Sequence, residues 1–104
     1  MKLDHITILV SSMEKSMPYY DALLPMLGFS KVRNRNWTDG EGFYLQFLQT
    51  KSETGPYERY GVGMNHLGFG AASKEQVDSV RTAMQQSGFD VPQAQGLGGA
   101  YALF

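Results

Sequence analysis

The sequence predicts an α+β fold in which one unit, made of a strand, a helix and further strands, occurs twice. Residues 3–10 (LDHITILV) and 64–71 (MNHLGFGA) are strand-like runs with a histidine in third place. Each run is followed by a helix-like segment that ends in Gly-Phe. His5 precedes Gly28 by 23 residues and His66 precedes Gly88 by 22, so the copies keep register to within one residue. The predicted order is β-α-β-(short β)-β, then β-α-β-β.

The first helix is predicted from one apolar stripe with steps of four and three residues: Met13, Met17, Tyr20, Leu24 and Leu27. Because Pro18 is disfavoured deep in a helix, the helix is predicted to begin after an N-cap at Ser16. The alternative is a distorted earlier turn in which Ser11 and Glu14 form a capping box. Gly28, which tolerates a positive φ, is predicted to end the helix.

The second helix carries the same signals. Ser73 and Gln76 have the spacing of a capping box, and Gly88 is predicted to stop the helix. Val77, Val80 and Met84 supply its apolar face. Both predicted helices are short and amphipathic, so each is expected to pack on a sheet.

Three further segments complete the first copy. Residues 29–36 alternate in the manner of an exposed edge strand, residues 38–42 (TDGEG) form a turn, and residues 43–49 form another strand. The polar residues 50–63, which include Gly55-Pro56, are predicted to link the copies.

The predicted strands each have one apolar face and one face with polar groups, because successive side chains of a strand point to opposite sides. The apolar faces are expected to cover the helices. The other faces are expected to curve around a cleft that holds five polar residues: His5, His66, Gln46, Tyr44 and Thr7. Two neutral imidazoles on adjoining strands, completed by an amide or carboxylate oxygen, can bind Zn, Ni, Fe or Mn. The alternative is that both histidines are half-buried polar residues with no ligand.

Composition excludes several classes of protein. Nine Lys plus Arg against ten Asp plus Glu leave a net charge of -1, which provides no field for nucleic acid or anionic lipid. No apolar run reaches the roughly 18 residues that cross a bilayer, and Asp4 and His5 interrupt the start. We therefore predict a cytoplasmic protein that binds neither nucleic acid nor membrane. Without cysteine, any metal ion must be held by nitrogen and oxygen ligands.

In the order and spacing of these motifs the chain resembles the vicinal oxygen chelate superfamily, which includes glyoxalase I, bleomycin and fosfomycin resistance proteins and extradiol dioxygenases. The resemblance covers nearly the whole chain. It implies a single domain over residues 1–104, with module 1 at about 1–50, a linker at about 51–62 and module 2 at about 63–104. It implies two βαβββ modules that form an open, cupped mixed sheet with two helices outside. It also implies a homodimer.

The resemblance implies that His5 and His66 are metal ligands from the two modules. Gln46 lies where the family often has a glutamate, and an amide is a weaker ligand that cannot act as a general base. Gln46 follows Phe29 by 17 residues, and the same step from Phe89 reaches position 106. The last strand of module 2 is therefore expected to be absent, and we expect the chain to be a truncated version of a longer protein.

The function implied is that of a divalent-metal-dependent lyase or isomerase of glyoxalase type. A metal ion would polarise adjacent oxygens of a small-molecule substrate, and Thr7 and other cleft residues would contact that substrate. No general base is assigned. The alternative is a metal-free protein of bleomycin-resistance type, which sequesters an aromatic or antibiotic ligand in a cleft lined by Trp37, Tyr44 and Tyr101.

Overall fold

A four-stranded mixed sheet and one helix make up the regular structure of the first repeat. The computed structural model describes residues 1–97 and 100–102, and the chain divides into two units, Met1–Gly68 and Phe69–Phe104. In the first unit the elements are β1 (His5–Val10), α1 (Met13–Met26), β2 (Ser30–Arg33), β3 (Asn36–Thr38) and β4 (Tyr44–Gln49). The strand order is β1-β4-β3-β2. β1 is parallel to β4, whereas the other neighbours are antiparallel. The predicted β-α-β-β-β order and the α+β class are confirmed.

The core of this unit consists of five buried side chains from α1, from the segment after it and from two strands: Leu24, Phe29, Trp37, Leu45 and Phe47. Phe47 is completely buried, and its ring centroid lies 4.3 Å from that of Tyr20 on α1. The alternate residues Ile6, Ile8 and Val10 of β1 pack against the same cluster. The predicted apolar faces of the strands and of the helix therefore meet, as expected for a two-layer arrangement.

The start of α1 differs from both predicted alternatives. Its N-cap is Ser12, whose Oγ accepts a hydrogen bond from the Lys15 backbone N at 3.2 Å. The predictions of Ser16 and of Ser11 as the capping residue are wrong. Pro18 and Pro25 both lie inside the helix at exposed positions, so the carbonyl groups that lose their partner at each proline are not enclosed in the core.

A contact from a distant strand supports this start. The Gln49 side chain, at the end of β4, accepts a hydrogen bond from the Met13 backbone N at 2.8 Å. Its Nε2 donates to the Ser11 carbonyl oxygen. One amide thus bonds to the residues on either side of Ser12 and stabilises the start of the helix, although 37 positions separate Ser12 from Gln49 in the sequence.

The predicted single strand over residues 29–36 is also wrong, because the chain turns at residues 34–35 and forms the hairpin β2–β3. β2 is fully exposed at the edge of the sheet, as the edge-strand prediction required. β3 has to pair with β4 for Trp37 to lie opposite Leu45 in the core. The next turn is as predicted: Asp39 Oδ1 accepts hydrogen bonds from the backbone N atoms of Glu41 and Phe43, at 2.8 and 3.0 Å.

The second unit contains α2 (Lys74–Gln86) and an antiparallel pair of strands, β5 (Gln95–Leu97) and β6 (Ala100–Ala102). α2 begins after Ser73, whose Oγ accepts a hydrogen bond from the Gln76 backbone N at 3.1 Å, so the predicted cap is confirmed. The helix ends before Gly88, which has a φ of 89°.

The strand predicted over residues 64–71 is not formed. This segment is exposed throughout, with Leu67 at 37% and Phe69 at 42% of their full exposure, and the described residues include no strand paired with it. Gly68 and Gly70 lower its tendency to form a strand. β1, in contrast, is in register with β4 over six residues. The alternation of side chains predicts which residues favour a strand, but it does not show whether another strand is present to pair with them.

Candidate functional site

The sheet face opposite the core brings together four of the predicted site residues. In the parallel pair of β1 and β4, His5 lies opposite Tyr44 and Thr7 lies opposite Gln46. Because Ile6 and Leu45 belong to the core side, these four residues point to the other face. Thr7 Oγ1 donates a hydrogen bond to Gln46 Oε1 at 3.1 Å. We call this surface the open face.

Two residues that the sequence analysis missed extend the open face onto β3. Asn36 lies opposite Gln46, and Thr38 lies opposite Tyr44. Both flank Trp37, which is buried, so they belong to the other side of the strand. The sequence analysis predicts Asn36 at the end of a strand and Thr38 in a turn, whereas both belong to β3. A prediction of residues 36–38 as a strand with Trp37 in the core would have placed Asn36 and Thr38 on the open face.

The open face changes in character along its length. Polar side chains occupy the rows of His5 and Thr7, and the next row pairs Leu9 with Leu48. Leu9 is 57% exposed and Leu48 is 43% exposed. Tyr44, at 39%, joins an apolar ring to a hydroxyl group. Such a surface suits a small organic molecule that has a polar end and an apolar end.

Each histidine forms a hydrogen bond with the residue that precedes it. Asp4 Oδ2 lies 2.6 Å from His5 Nδ1, and Asn65 Oδ1 lies 2.8 Å from His66 Nδ1. Asn65 Nδ2 donates to the carbonyl oxygen of Arg59 at 2.9 Å. His5 stands on a strand, whereas His66 stands in the exposed segment that replaces the predicted strand. Convergence of the two rings stays a prediction.

Trp37 lies away from the other predicted substrate contacts of the first unit, because it is on the core side of the sheet. Trp37 is 3% exposed and packs in the core, so the prediction that it lines the cleft is wrong. The cause is its register opposite the buried Leu45. The backbone of Tyr101 belongs to β6, opposite Gly96, but its side chain lies outside the part of the chain that the structure describes.

The predicted ligands of a metal ion are two imidazoles and one amide. Within residues 1–97 and 100–102, no three side chains of His, Cys, Asp or Glu lie close enough together to hold an ion. His5 and Gln46 share the open face, and His66 would have to supply the third donor. A metal site made of these three residues stays a prediction.

Comparison with known proteins decides the family. The sequence model of the Glyoxalase/Bleomycin resistance protein/Dioxygenase superfamily matches residues 2–103. The chain belongs to this superfamily. This confirms the resemblance inferred from the two histidine segments, and it agrees with an α+β fold whose first module is complete in the structure.

Relatives within the glyoxalase superfamily include an uncharacterized protein of Bacillus subtilis (strain 168), YqjT. It is 34% identical over 115 aligned positions, which cover 98% of this chain and 88% of the relative. A crystal structure from Bacillus halodurans, described provisionally as a glyoxalase, matches with a TM-score of 0.73 and 34% identity. The match covers 86% of this chain and 71% of that one. A Bacillus cereus protein, described in the same provisional way, matches with a TM-score of 0.64 and 25% identity, over 91% and 81% of the two chains.

In the described part of this glyoxalase-superfamily chain, no helix has the length and apolar character needed to cross a bilayer. The cytoplasmic location, the homodimer and the absence of a nucleic-acid partner stay predictions.

Proposed function

We propose that the protein is a divalent-metal-dependent lyase or isomerase of glyoxalase type, which acts on a small molecule with adjacent oxygens. The observation that carries this proposal is the open face, where an imidazole and an amide oxygen occupy neighbouring strands beside a hydroxyl-bearing aromatic ring. Superfamily membership supports the same class of chemistry.

The donor chemistry of the open face fits a divalent transition-metal ion. His5 and Gln46 lie on neighbouring strands and are offset by two residues, which corresponds to a Cα separation of about 8 Å. Both side chains are long enough for their donor atoms to converge on one ion. Thr7 uses one lone pair of Gln46 Oε1, so the amide oxygen keeps a second lone pair for coordination. Imidazole nitrogen and amide oxygen suit Zn, Ni, Fe or Mn.

When bound, such an ion would polarise the adjacent oxygens of the substrate as a Lewis acid. The chain itself would orient the substrate: Tyr44 is the register partner of His5, and its hydroxyl can donate a hydrogen bond to a substrate oxygen. Leu9 and Leu48 would hold its apolar part. Gln46 is an amide and cannot take up a proton as a general base, so proton transfer has to involve another group.

A second function, metal-free binding of an aromatic or antibiotic ligand, is favoured by a different observation. Gln46 stands where a charged ligand would bind a metal ion more strongly, and its oxygen already accepts a hydrogen bond from Thr7. In this role the apolar row of Leu9 and Leu48, together with the ring of Tyr44, would bind the ligand by burial of apolar surface.

Metal binding separates the two functions. The purified protein is loaded in turn with Zn, Ni, Fe and Mn, dialysed, and its metal content is measured by elemental analysis. We expect about one ion per chain, lost in His5→Ala and in His66→Ala. Gln46→Glu should tighten binding because it adds a charged oxygen ligand. The control Gln85→Ala changes an exposed residue of α2 and should leave metal content unchanged.

Two results would contradict the metal-dependent function. One is wild-type protein that takes up no ion but binds aromatic compounds, which supports the sequestering function. The other is an ion retained in both histidine variants, which would place the metal ion elsewhere.

A further inference from the structure

The two histidine segments share a feature that the sequence repeat does not require. In each, the Nδ1 atom of the histidine forms a hydrogen bond with the side-chain oxygen of the preceding residue, Asp4 or Asn65. We propose that Asp4 and Asn65 are positioning residues, which keep both neutral imidazoles protonated on Nδ1 and leave the lone pair of Nε2 available. The proposal rests on the proposed function only where it assigns a metal ion to that lone pair.

For His5 the acceptor, the Asp4 carboxylate, determines which ring nitrogen carries the proton. An ionised carboxylate has lone pairs but no hydrogen to donate. The contact of 2.6 Å between Asp4 Oδ2 and His5 Nδ1 is therefore a hydrogen bond only when the proton is on Nδ1. A neutral imidazole carries a single N–H, so Nε2 is then the acceptor and the possible ligand atom.

For His66 the orientation of the Asn65 side-chain amide determines which ring nitrogen carries the proton. The Arg59 carbonyl oxygen can only accept, so the side-chain nitrogen of Asn65 must face it, at 2.9 Å. The amide oxygen then faces His66 Nδ1, at 2.8 Å. This oxygen can only accept, so Nδ1 must donate. A rotated amide would place two oxygens against each other at Arg59 and two possible donors at His66.

A tyrosine braces the segment in front of His66. The Tyr57 hydroxyl lies 2.8 Å from the Met64 carbonyl oxygen and 2.9 Å from that of Asn65, so it can donate to either. Together with the Asn65–Arg59 bond it closes the loop of residues 57–65. His66 has no strand to fix its backbone, and this loop takes over that role. The imidazole of His5, in contrast, is carried by a strand of the sheet.

The test measures the tautomer of each ring in metal-free protein. The protein is labelled with ¹⁵N-histidine, and long-range ¹⁵N–¹H correlation spectra are recorded as the pH is raised until the histidine signals no longer change. We expect both rings to carry the proton on Nδ1, although neutral histidine in water prefers Nε2–H. Asp4→Ala should shift only His5 toward Nε2–H, and Asn65→Ala should shift only His66.

Two matched variants separate a role in the tautomer from a role in folding. Asn65→Asp keeps an oxygen acceptor for His66 but loses the donor to Arg59, so it should retain the Nδ1–H form. Tyr57→Phe removes the brace but not the acceptor, and it should also retain that form. Wild-type protein with Nε2–H at either ring, or alanine variants with unchanged tautomers, would overturn the proposal.

Metal affinity provides a separate measurement. Because Asp4 and Asn65 would orient the ligands from outside the coordination shell, their alanine variants should bind the ion about 10- to 100-fold more weakly. If the wild-type tautomers are as expected but no ion binds, the proposed metal-dependent function is wrong and the positioning role stands. If an ion binds but the tautomers differ from those expected, the positioning role is wrong and the metal-dependent function stands.

Discussion

The two copies of the repeat end their helices in the same way but surround their histidines differently. In the first copy the Phe29 backbone N donates to the Leu24 carbonyl oxygen at 3.0 Å, and Gly28 has a φ of 90°. In the second copy the Phe89 backbone N donates to the Met84 carbonyl oxygen at 3.1 Å. His5, however, lies on a strand of the sheet, whereas His66 lies in an exposed segment braced by a loop. A helix end is encoded locally, but a strand requires a partner that is distant in sequence.

Hydrogen exchange should show the largest difference between the two copies. The amide of Tyr44 donates to Asp4 O at 3.0 Å and that of Phe47 to Arg35 O at 2.9 Å, so β4 is bonded on both sides. We expect these amides to exchange slower than those of residues 66–71 by a factor on the order of 10³ or more. Amide exchange followed by NMR measures the ratio.

The control for this measurement lies in the second unit. The Phe89 amide, bonded to Met84 O, should be protected if α2 is folded. Protection of residues 66–71 as strong as that of β4 would show that this segment is paired, and the contrast between the copies would not hold.

The same distinction explains which parts of the fold could be predicted from the sequence. Ser73, Gly28 and Gly88 act on the backbone within a few residues, and all three were predicted correctly. The predicted start of α1 is wrong, and the side chain that bonds to both sides of the observed cap, Gln49 of β4, is distant in sequence. The predicted strand over residues 29–36 is wrong because the chain turns at residues 34–35 and brings Trp37 into the core. The polarity of residues 29–36 alone does not indicate this turn.

For the candidate site, strand alternation was sufficient where the strand was identified correctly. It placed His5, Thr7, Tyr44 and Gln46 on one face, and the register of β1 with β4 agrees. It failed for Trp37, which was assigned to no strand. It could not indicate the hydrogen bonds of Asp4 and Asn65 with the histidines, because a hydrogen bond between adjacent side chains depends on rotamers that a pattern does not contain.

Substitution at Gly28 and Gly88 tests whether the two helix ends are equivalent. An added Cβ at Gly28 or Gly88 would meet no atom within 4 Å, so the cost of Gly28→Ala or Gly88→Ala comes from the positive φ alone. We expect each variant to lose about 1 kcal/mol of stability. Gly55→Ala, where φ is not positive, is the matched control and should change stability little.

Urea unfolding measures the free energy of each glycine variant. Fluorescence of Trp37, the only tryptophan, reports on the first unit, and amide exchange in α2 reports on the second. Clearly unequal costs at the two glycines would mean that their helix ends are not equivalent despite the shared geometry.

The smallest expected difference concerns pH. Burial raises the pKa of the Tyr20 phenol above its usual value of 10.0, and the neighbouring Tyr19 adds to the rise. The residue at the same place in the second copy, 60 positions later, is Val80, which does not titrate. Any alkaline destabilisation that arises at this place in the repeat should therefore be confined to the first unit.

The sign of this pH effect follows from the direction of the shift. The folded chain holds the phenolic proton more tightly than the unfolded chain, so the contribution of Tyr20 to stability is complete below pH 10.0 and is lost as the pH rises toward the folded pKa. The loss cannot exceed about 1.4 kcal/mol per pH unit for one group. Urea midpoints from Trp37 fluorescence should fall above pH 10.0 in the wild type, and less in Tyr20→Phe. The same fall in the variant would assign the alkaline transition to other groups, because Tyr20→Phe keeps the ring that packs on Phe47 and removes only the ionisable hydroxyl.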